Sequence, residues 1–409
     1  MISHGFVRKI LLIAFLFIPF TSLRFSFIGI GEVLICAGAI LYLFLNRGQL
    51  SVNKLIKPIV LFWCAFLFVS MLGLFVNAFV FDFISGRSGT GLFDFASYIF
   101  VLFTVVMLSD SKLFPEGEAQ KFFRNLFLMW GGIFAVLYLL SLFTPSIFGL
   151  SLRYHQFFSP LVENVHQVAS ITCAMAFVMF ALFGWSNKAI VRAFVIFMGL
   201  LFARMAIESG STKAMMGVVV GGVVSVALFI SYRPKGRGSL YYNLISFGFF
   251  AILLMIGVST HADEILSLTS NFFTENDGGN AREMLYSNSF YHGLQSFLVG
   301  YGPGSHAPYA SGFSDAHNSV LTVFLQGGIV GVLLLSALFI KIFYLVRTDF
   351  LLVGALFAIL MYVIGGDVLR RLPIWVILIG VVYLSQKPNT GNIGLKQNPM
   401  MRQKLVKNV

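Results

Sequence analysis

Polar residues that could perform chemistry gather in one segment of this apolar chain, between the apolar runs that end near Val258 and begin near Ser319. The segment contains Arg282, the glycine turn 300–304, His306 and the pair His317-Asn318. A guanidinium presents a fixed fork of donors that suits phosphate oxygens, and a neutral imidazole can accept a proton from a hydroxyl. An otherwise apolar chain gathers such groups where polar chemistry is carried out at a membrane surface. We therefore predict the functional site in this segment.

His317 stands two residues before the apolar run that begins at Ser319. Asp315 or Asn318 can cap the helix predicted there. The positive end of the helix dipole disfavours a charged histidine at this place, which would leave the imidazole neutral and able to accept a proton. A merely hydrated histidine at the membrane interface is the alternative. Three glycines between 327 and 331 favour close packing of this helix against another, which would hold the histidine on a rigid element.

Arg282 precedes a run to Leu298 that has the apolar spacing of an amphipathic helix at a membrane interface. The arginine can bind an anion, or it can lie in solvent at the start of that helix. The turn 300–304 reads Gly-Tyr-Gly-Pro-Gly, and its glycines permit positive φ and close backbone approach. Its N–H groups can therefore face a ligand, which makes Gly302 and Gly304 candidate substrate-binding positions, although such a turn is more often only a turn.

Two further segments carry basic residues. The turn Ser209-Gly-Ser-Thr-Lys213 joins two predicted helices and puts Lys213 at a helix start, where the dipole disfavours positive charge by roughly a few tenths of a kcal/mol. An anionic partner would account for this placement, and snorkelling of the lysine is the alternative. Arg153 and the stretch 163–167, Glu-Asn-Val-His-Gln, offer a second basic and hydrogen-bonding surface.

The elements that must position these residues are apolar runs of about 17–25 residues, the length of a membrane-crossing helix. The chain has 409 residues and is 11% charged, whereas soluble domains carry roughly 25% charged residues. The candidate spans are 8–23, 27–46, 57–78, 91–109, 123–143, 167–185, 189–207, 213–231, 241–259, 318–346, 349–364 and 372–386. We predict an all-α polytopic membrane protein of about 12 transmembrane helices, with one large periplasmic loop (260–317) that contains short helices.

The net charge of +12 follows the predicted topology. When the N-terminus is placed in the cytoplasm, most of the 28 Lys and Arg residues fall in cytoplasmic segments, which is the positive-inside bias. This bias explains the basic excess without a nucleic-acid partner. Residues 1–386 are then one transmembrane catalytic domain, and 387–409 form a basic cytoplasmic tail. The outer basic residues are Arg24, Arg87, Arg153, Arg204, Lys213, Arg282, Arg370 and Arg371.

The predicted cytoplasmic loops are short and contain no glycine-rich phosphate loop before a helix and no metal-ligand spacing. Charged residues deep inside the predicted spans are nearly absent, whereas ion-coupled transporters usually hold them near the bilayer midplane, at a cost of about 3 kcal/mol or more each. The sequence therefore favours an enzyme that works at the outer surface over a pump.

Five short stretches lie in this order on the predicted outer side: Ser209-Gly-Ser-Thr-Lys-Ala214, Gly279-Asn-Ala-Arg282, Gly300-Tyr-Gly-Pro-Gly304, Ala316-His-Asn318 and Gly366-Asp-Val-Leu-Arg-Arg-Leu-Pro373. Their order and common side resemble the O-antigen ligase and O-antigen polymerase superfamily of bacterial inner-membrane glycosyltransferases. The resemblance implies transfer of a glycan from undecaprenyl diphosphate to an acceptor hydroxyl at the periplasmic face. It implies no metal, nucleotide or other cofactor. The implied partners are the lipid-linked glycan, the acceptor glycan and membrane lipids.

The resemblance also implies roles for the matched residues. His317 would activate or position the acceptor hydroxyl, and Arg282 would bind the diphosphate. Lys213 stands where the ligases commonly carry an arginine, so it keeps the charge and loses the bidentate fork. The remaining candidate substrate-binding residues are Arg370 and Arg371 on the same cationic rim, Asn318, Gly302, Gly304, and the second-line residues His306 and Arg153. A single displacement would invert the anomeric centre.

Three functions remain open from the sequence. A polymerase adds the growing glycan to another lipid-linked repeat, and this is the leading prediction because Ser-Gly-Ser-Thr-Lys213 departs from the ligase turn. A ligase joins the glycan to lipid A-core instead. A lipid-glycan flippase or other transporter is the third, and it predicts polar groups that point into a channel at the midplane.

Overall fold

The computed structural model describes residues 3–25, 28–80, 91–154, 157–162, 165–231, 278–309 and 312–386. The α-helices in these ranges are α1 (His4–Phe17), α2 (Ile30–Leu45), α3 (Lys57–Phe75), α4 (Gly91–Ser109), α5 (Glu116–Ser141), α6 (Val165–Leu182), α7 (Ala189–Glu208), α8 (Thr212–Ser231), α9 (Gly278–Gln295), α10 (Ser319–Val346), α11 (Phe350–Gly365) and α12 (Leu372–Ser385). A π-helical turn, Val76–Val80, extends α3, and a 3-10 turn, Phe183–Trp185, follows α6.

Within the described residues, short strands form four antiparallel hairpins in the connections between helices. The paired strands are β1 (Arg24–Phe25) with β2 (Ile28–Gly29), β3 (Ser146–Ile147) with β4 (Leu150–Ser151), β5 (Arg153–Tyr154) with β6 (Phe157–Phe158), and β7 (Ala307–Tyr309) with β8 (Gly312–Ser314). Helices therefore carry the architecture, and the strands only shape its loops.

Seven described helices are long and apolar enough to cross a membrane, and three shorter ones are also apolar. The chain is therefore an all-α polytopic membrane protein, as predicted. Every predicted span except 241–259 overlaps a described helix. That span lies outside the described residues, so the total of twelve stays a prediction. The helix α6 is the most enclosed of the seven, with 83% of its membrane-length window buried, so the other helices pack around it.

Hydrogen bonds between connecting segments show which helix ends lie together. We call one end the loop end, and it carries residues 18–25, 28–29, 142–154, 157–162, 209–211, 296–309, 312–318 and 366–371. The bonds across it join Ser22 to Leu161, Ser211 to Tyr362, Arg371 to His166 and Ser319 to Gly366. The opposite end is joined by bonds from Tyr42 to Asp110, Ser225 to Phe350 and Tyr383 to the Leu108 carbonyl. All the polar stretches singled out in the described sequence thus meet at the loop end.

The helix α10 is broken at Gly328, where φ is +60° and the backbone is not helical. The segment that follows α9 inserts at this break. The N–H of Ile329 donates to the carbonyl of Phe297 at 2.7 Å, and that of Val330 donates to Leu298 at 3.3 Å. Three glycines between 327 and 331 were expected to promote close helix packing. Gly327 and Gly331 lie against Phe66 of α3, which confirms this, and at Gly328 a neighbouring backbone enters the helix.

The reciprocal bonds come from the glycine turn. The N–H of Tyr301 donates to the Leu325 carbonyl at 2.7 Å, and that of Gly302 donates to the Gln326 carbonyl at 3.1 Å. In an unbroken helix those carbonyls would accept from residues 329 and 330. Two helical hydrogen bonds are thus exchanged for four bonds to residues 297–302, so this segment and α10 form one backbone unit.

Replacing Gly328 by alanine is expected to destabilise the protein. A Cβ there would overlap the backbone of Leu298, and the positive φ adds to the cost, for a total of at least about 2 kcal/mol. Gly132 is the matched control, because it lies inside α5 with no atom near its missing Cβ. Gly132→Ala is expected to be neutral or stabilising by up to about 1 kcal/mol. Unfolding of both variants in detergent checks this, and equal midpoints would contradict it.

Candidate functional site

His317 lies at the loop end, directly before the N-cap of α10. The side chain of Asn318 accepts hydrogen bonds from the N–H groups of Val320 (2.9 Å) and Leu321 (3.2 Å), so Asn318 is the cap. His317 itself has φ +50° and is exposed. This left-handed backbone is uncommon for a residue with a side chain and marks a position that its surroundings must hold. The imidazole is therefore presented to solvent from a fixed helix start.

The residue after this cap ties the site to the connection between α11 and α12. The N–H and the hydroxyl of Ser319 both donate to the carbonyl of Gly366, each at 2.8 Å. The same hydroxyl accepts from the N–H of Val368 at 2.9 Å. Ser319 is fully buried, so these bonds are shielded from water. The chain on the C-terminal side of His317 is thereby anchored.

Arg370 anchors the chain on the other side of His317. Its Nη2 lies 2.5 Å from Oδ2 of Asp315, and its Nη1 lies 2.7 Å from Oδ1 of Asp94 in the first turn of α4. Asp367 completes the cluster at 3.4 Å. Three carboxylates thus surround one half-buried guanidinium, and the charge of Arg370 is already compensated within the protein.

The cluster continues between the helices into a buried polar chain. The amide of Gln326 on α10 donates to Asp94 at 3.4 Å, and its carbonyl accepts from the hydroxyl of Tyr98 at 2.8 Å. Gln326 and Tyr98 are fully buried. Sequence reasoning missed these residues and Asp94. The available signal was a carboxylate in the first turn of an apolar span, a costly placement that calls for a partner.

Electrostatics keep the exposed side of this cluster ionised. Burial raises the pKa of the Asp315 carboxyl, but the contact with His306 and the charge of Arg370 outweigh it and hold the pKa well below its usual range. Burial also lowers the pKa of Arg370, and the carboxylates of Asp367, Asp315 and Asp94 more than reverse this, so its pKa is raised. Both groups therefore remain charged at neutral pH.

Stability is expected to fall in acid because of this pairing. The folded-state pKa of Asp315 lies below its unfolded value of about 3.9, so its stabilising contribution is complete above that value and is lost as pH falls through the folded pKa. The thermal midpoint in detergent should stay level from neutral pH to about pH 5 and then decline. Asp315→Asn should decline less steeply, and an unchanged acid slope in that variant would contradict the assignment.

His306 joins the same cluster from the loop before β7. Its Nδ1 lies 3.2 Å from Oδ1 of Asp315, and the side chain is only 6% exposed. Asp315 therefore contacts His306 with one oxygen and Arg370 with the other. A buried imidazole beside a carboxylate is held in one orientation. His306 and His317 thus differ in kind, since one is enclosed and the other faces solvent.

The glycine turn 300–304 does not present its first N–H groups to a ligand, contrary to expectation. Gly300 donates to Ser296, and residues 301 and 302 donate to α10 as described above. Asn77, in the π-helical turn after α3, donates to the Gly300 carbonyl at 2.8 Å and fastens the turn from the other side. At Gly304, φ is +78° and a Cβ would overlap the backbone of Gly91. The positive φ and close approach are confirmed, but the contacts are with the protein.

Lys213 and Arg371 lie on two sides of the same connection. The stem of Lys213 runs along Gly365 and Gly366, and a Cβ on Gly365 would lie 3.0 Å from its Cγ. Because the Gly366 carbonyl binds Ser319, Lys213 is close to the start of α10. Arg371 donates to the carbonyl of His166 at 2.7 Å, which directs its guanidinium to the start of α6.

Arg153 and Arg282 are less fully placed. Arg153 lies in β5, and its Nε is buried with no hydrogen-bond partner among the residues that the structure describes. The ring of Phe157 in the paired strand covers Gly210, so this hairpin lies over the turn before Lys213. Arg282 is in the first turns of α9, and its side chain lies outside the described residues.

The structure thus brings His317, His306, Asn318, Arg370 and Lys213 to one rim at the loop end. Arg371 and Arg153 lie further along that end, near the start of α6 and over the turn before α8. Gly302 donates to α10 and Gly304 packs against Gly91 at the start of α4, so both glycines stabilise the helices that carry this rim. The roles of all these residues in substrate binding remain predictions.

These features define an all-α polytopic membrane protein in which the candidate site residues placed by the structure lie at one end of the helices. Residues 197–336 match the family model described as O-antigen ligase. The predicted resemblance to the O-antigen ligase and polymerase superfamily is thereby confirmed, and members of this family are glycosyltransferase-like enzymes. The matched stretch contains Lys213, Arg282, His306 and His317. No curated protein gives a significant match to the chain.

Proposed function

We propose that this protein transfers a glycan from undecaprenyl diphosphate to the hydroxyl of an acceptor glycan at the periplasmic face of the bacterial inner membrane. The observation that carries the proposal is the placement of His317. An exposed imidazole stands on an anchored helix start, and the stem of Lys213 lies along Gly365 and Gly366, the connection that binds this helix start. His317 and Lys213 are both inside the stretch that matches the O-antigen ligase family. A base next to a cation is what transfer from a diphosphate donor requires.

In this mechanism His317 accepts the proton of the acceptor hydroxyl as its oxygen attacks the anomeric carbon. One C–O bond forms to the acceptor, the C–O bond to the diphosphate breaks, and the electron pair leaves with undecaprenyl diphosphate. The dipole of α10 disfavours the imidazolium before reaction, which favours the neutral base. A single displacement inverts the anomeric configuration, and a retained configuration in the product linkage would contradict it.

The donor diphosphate is bound by cations in this proposal. Arg282 offers a bidentate fork, and Lys213 contributes a point charge from the start of α8. Arg371 and Arg153 lie at the same end and would extend the cationic surface that the donor diphosphate contacts. Arg370 differs from these, because three carboxylates already compensate its charge. Its proposed contribution is therefore to hold the site.

The orientation follows from charge. Twelve spans with cytoplasmic termini put the loop end in the periplasm and most lysines and arginines in the cytoplasm. Residues 1–386 would then form one catalytic domain, and the tail 387–409, which lies outside the described residues, would be cytoplasmic. Cysteine labelling checks this: a Cys at Ser146 should react with an impermeant thiol reagent in intact spheroplasts, and a Cys at Ser186 only after lysis, in a chain whose natural cysteines are replaced by serine.

Two acceptors are supported by different observations. The turn that ends in Lys213 departs from the ligase pattern, which favours a second lipid-linked repeat and hence a polymerase. The match to the O-antigen ligase family favours a ligase, for which the acceptor is lipid A-core. We take polymerase as the first candidate and ligase as the second.

The test uses the purified protein in nanodiscs with an undecaprenyl-diphosphate-linked oligosaccharide as the only glycan. A ladder of longer lipid-linked products, read by gel and mass spectrometry, supports the polymerase. Product that forms only after lipid A-core is added supports the ligase. No transfer with either acceptor, together with movement of the lipid-linked glycan between leaflets, would overturn the enzyme in favour of a transporter.

A further inference from the structure

Asp94 is a buried carboxylate in the first turn of α4, with 1% of its surface exposed. At this depth it cannot touch a substrate. Its described partners are Arg370 at 2.7 Å and the amide of Gln326 at 3.4 Å. A lone carboxylate in this place would be costly, and the pairing with Arg370 offsets the cost. The question is what this pair does for the exposed residues above it.

The guanidinium of Arg370 connects Asp94 to the loop that carries His317. Nη1 binds Asp94, and Nη2 binds Asp315 at 2.5 Å. The donors of a guanidinium form a rigid planar fork, so fixing one nitrogen fixes the direction of the other. Asp315 lies two residues before His317. These two short charged contacts therefore fix the start of α10 relative to α4.

The conformation of His317 requires such a restraint. Its φ of +50° is unfavourable for a residue with a Cβ. Ala316 is buried against Leu285 and Leu325, and Ser319 is bonded to Gly366. The chain is therefore fixed on both sides of His317. With Asp315 free to move, the N-terminal side of His317 would lose its charged anchor, and the backbone could relax towards negative φ.

We propose that Asp94 is a positioning residue for His317, acting through Arg370 and Asp315 without contacting the substrate. This inference rests on the proposed function, in which His317 activates the acceptor. Asp94 sets the direction of Arg370, Arg370 sets the position of Asp315, and Asp315 holds the imidazole where it meets the acceptor hydroxyl. Asp94 thus affects the orientation of His317 during the reaction and leaves substrate binding largely unchanged.

The test is the steady-state kinetics of Asp94→Asn in nanodiscs, measured per mole of monodisperse protein. We expect kcat to fall about 10- to 100-fold, the cost of a displaced catalytic group, with KM for donor and acceptor within about twofold. Asp110→Asn is the matched control. Asp110 follows the other end of α4, is fully buried, and accepts from Tyr42 and Ser51 at the opposite end. We expect it to lower the thermal midpoint and leave kcat unchanged.

A double-mutant cycle tests the route. If Asp94 acts through Asp315, Asp94→Asn should cost little in a chain that already carries Asp315→Asn. Additive losses, an unchanged kcat in Asp94→Asn, or an equal loss of kcat in Asp110→Asn would each overturn the inference. A failure of the proposed function is distinguished from these, because the wild-type protein would then make no product with any acceptor.

Discussion

Replacing His317 by alanine is expected to lower the rate of glycan transfer about 10²- to 10⁴-fold, the range that a positioned general base contributes. The imidazole is exposed at the start of α10, and its neighbours on both sides are anchored. The substitution removes the proton acceptor without disturbing Asn318, which caps the helix. Donor binding should persist, so the loss should appear in kcat. Single-turnover transfer with radiolabelled or fluorescent donor measures it.

The control for this prediction is His4→Ala. His4 begins α1 at the opposite end, where its ring lies 5.7 Å from that of Tyr42. His4→Ala removes the same type of side chain at a distance from the proposed site, so we expect this variant to keep full activity. Product formation by His317→Ala within about tenfold of wild type would exclude a general base at this position. The thermal midpoint of both variants separates loss of the base from loss of the fold.

Replacing Arg282 by alanine is expected to lower transfer about 10²- to 10³-fold, the usual effect of deleting one donor that stabilises developing negative charge. The departing diphosphate gains charge as its C–O bond breaks, so the loss should appear in kcat as well as in donor KM. Arg282→Lys keeps the charge and loses the bidentate fork, and its rate should lie between those of wild type and Arg282→Ala. The rates of the three proteins at saturating acceptor check this order.

Arg347→Ala serves as the matched control for Arg282. Its guanidinium lies 3.9 Å from the centre of the Tyr344 ring at the C-terminus of α10, at the opposite end. Arg347→Ala changes the net charge by the same amount as Arg282→Ala. A difference between the two variants therefore reflects the position of the arginine and not the loss of charge. Equal losses in the two alanine variants, or a lysine variant no better than alanine, would refute a diphosphate role for Arg282.

Hydropathy alone predicted most helices, because a membrane imposes one length and one composition on every span. The boundaries were less predictable at the first two helices. The first span was expected at 8–23, whereas α1 ends at Phe17 and a hairpin at 24–29 precedes α2. Pro19 favours an end to α1 soon after Phe17. Hydropathy did not detect this end, because most of residues 18–23 are themselves apolar.

The candidate site likewise contains residues that the local sequence predicts and contacts that it does not predict. His317 was predicted from its place before an apolar run, and Asn318 from its capping chemistry, both of which are local properties. The partnership of Arg370 with Asp94 joins residues 276 positions apart, and no local pattern reports it. Arg370 was therefore predicted as a substrate-binding residue from its positive charge and from the resemblance of residues 366–373 to the family's polar turn. A charge shows where an ion lies in sequence but not which counter-ion the fold supplies.

The glycine turn illustrates a second limit. Its composition predicted positive φ correctly, and its N–H groups were expected to face a ligand. The N–H groups of Tyr301 and Gly302 donate instead to carbonyls of the broken helix α10, and that of Gly300 donates to Ser296. The break at Gly328 is invisible in hydropathy, because Ser319–Val346 is apolar throughout. A single sequence shows that a glycine permits an unusual backbone and leaves open which of its neighbours uses it.

The break in α10 also has a consequence for biosynthesis. Residues 319–346 are apolar enough to enter the bilayer as one uninterrupted helix, with every backbone bond made within the segment. The mature hydrogen bonds of residues 325–330 need the segment 297–302, which precedes the helix in the chain. The intrahelical bonds must therefore be given up after insertion, when that segment docks. Insertion into the bilayer and maturation of the site are then two separate events, and the second depends on the docking of residues 297–302.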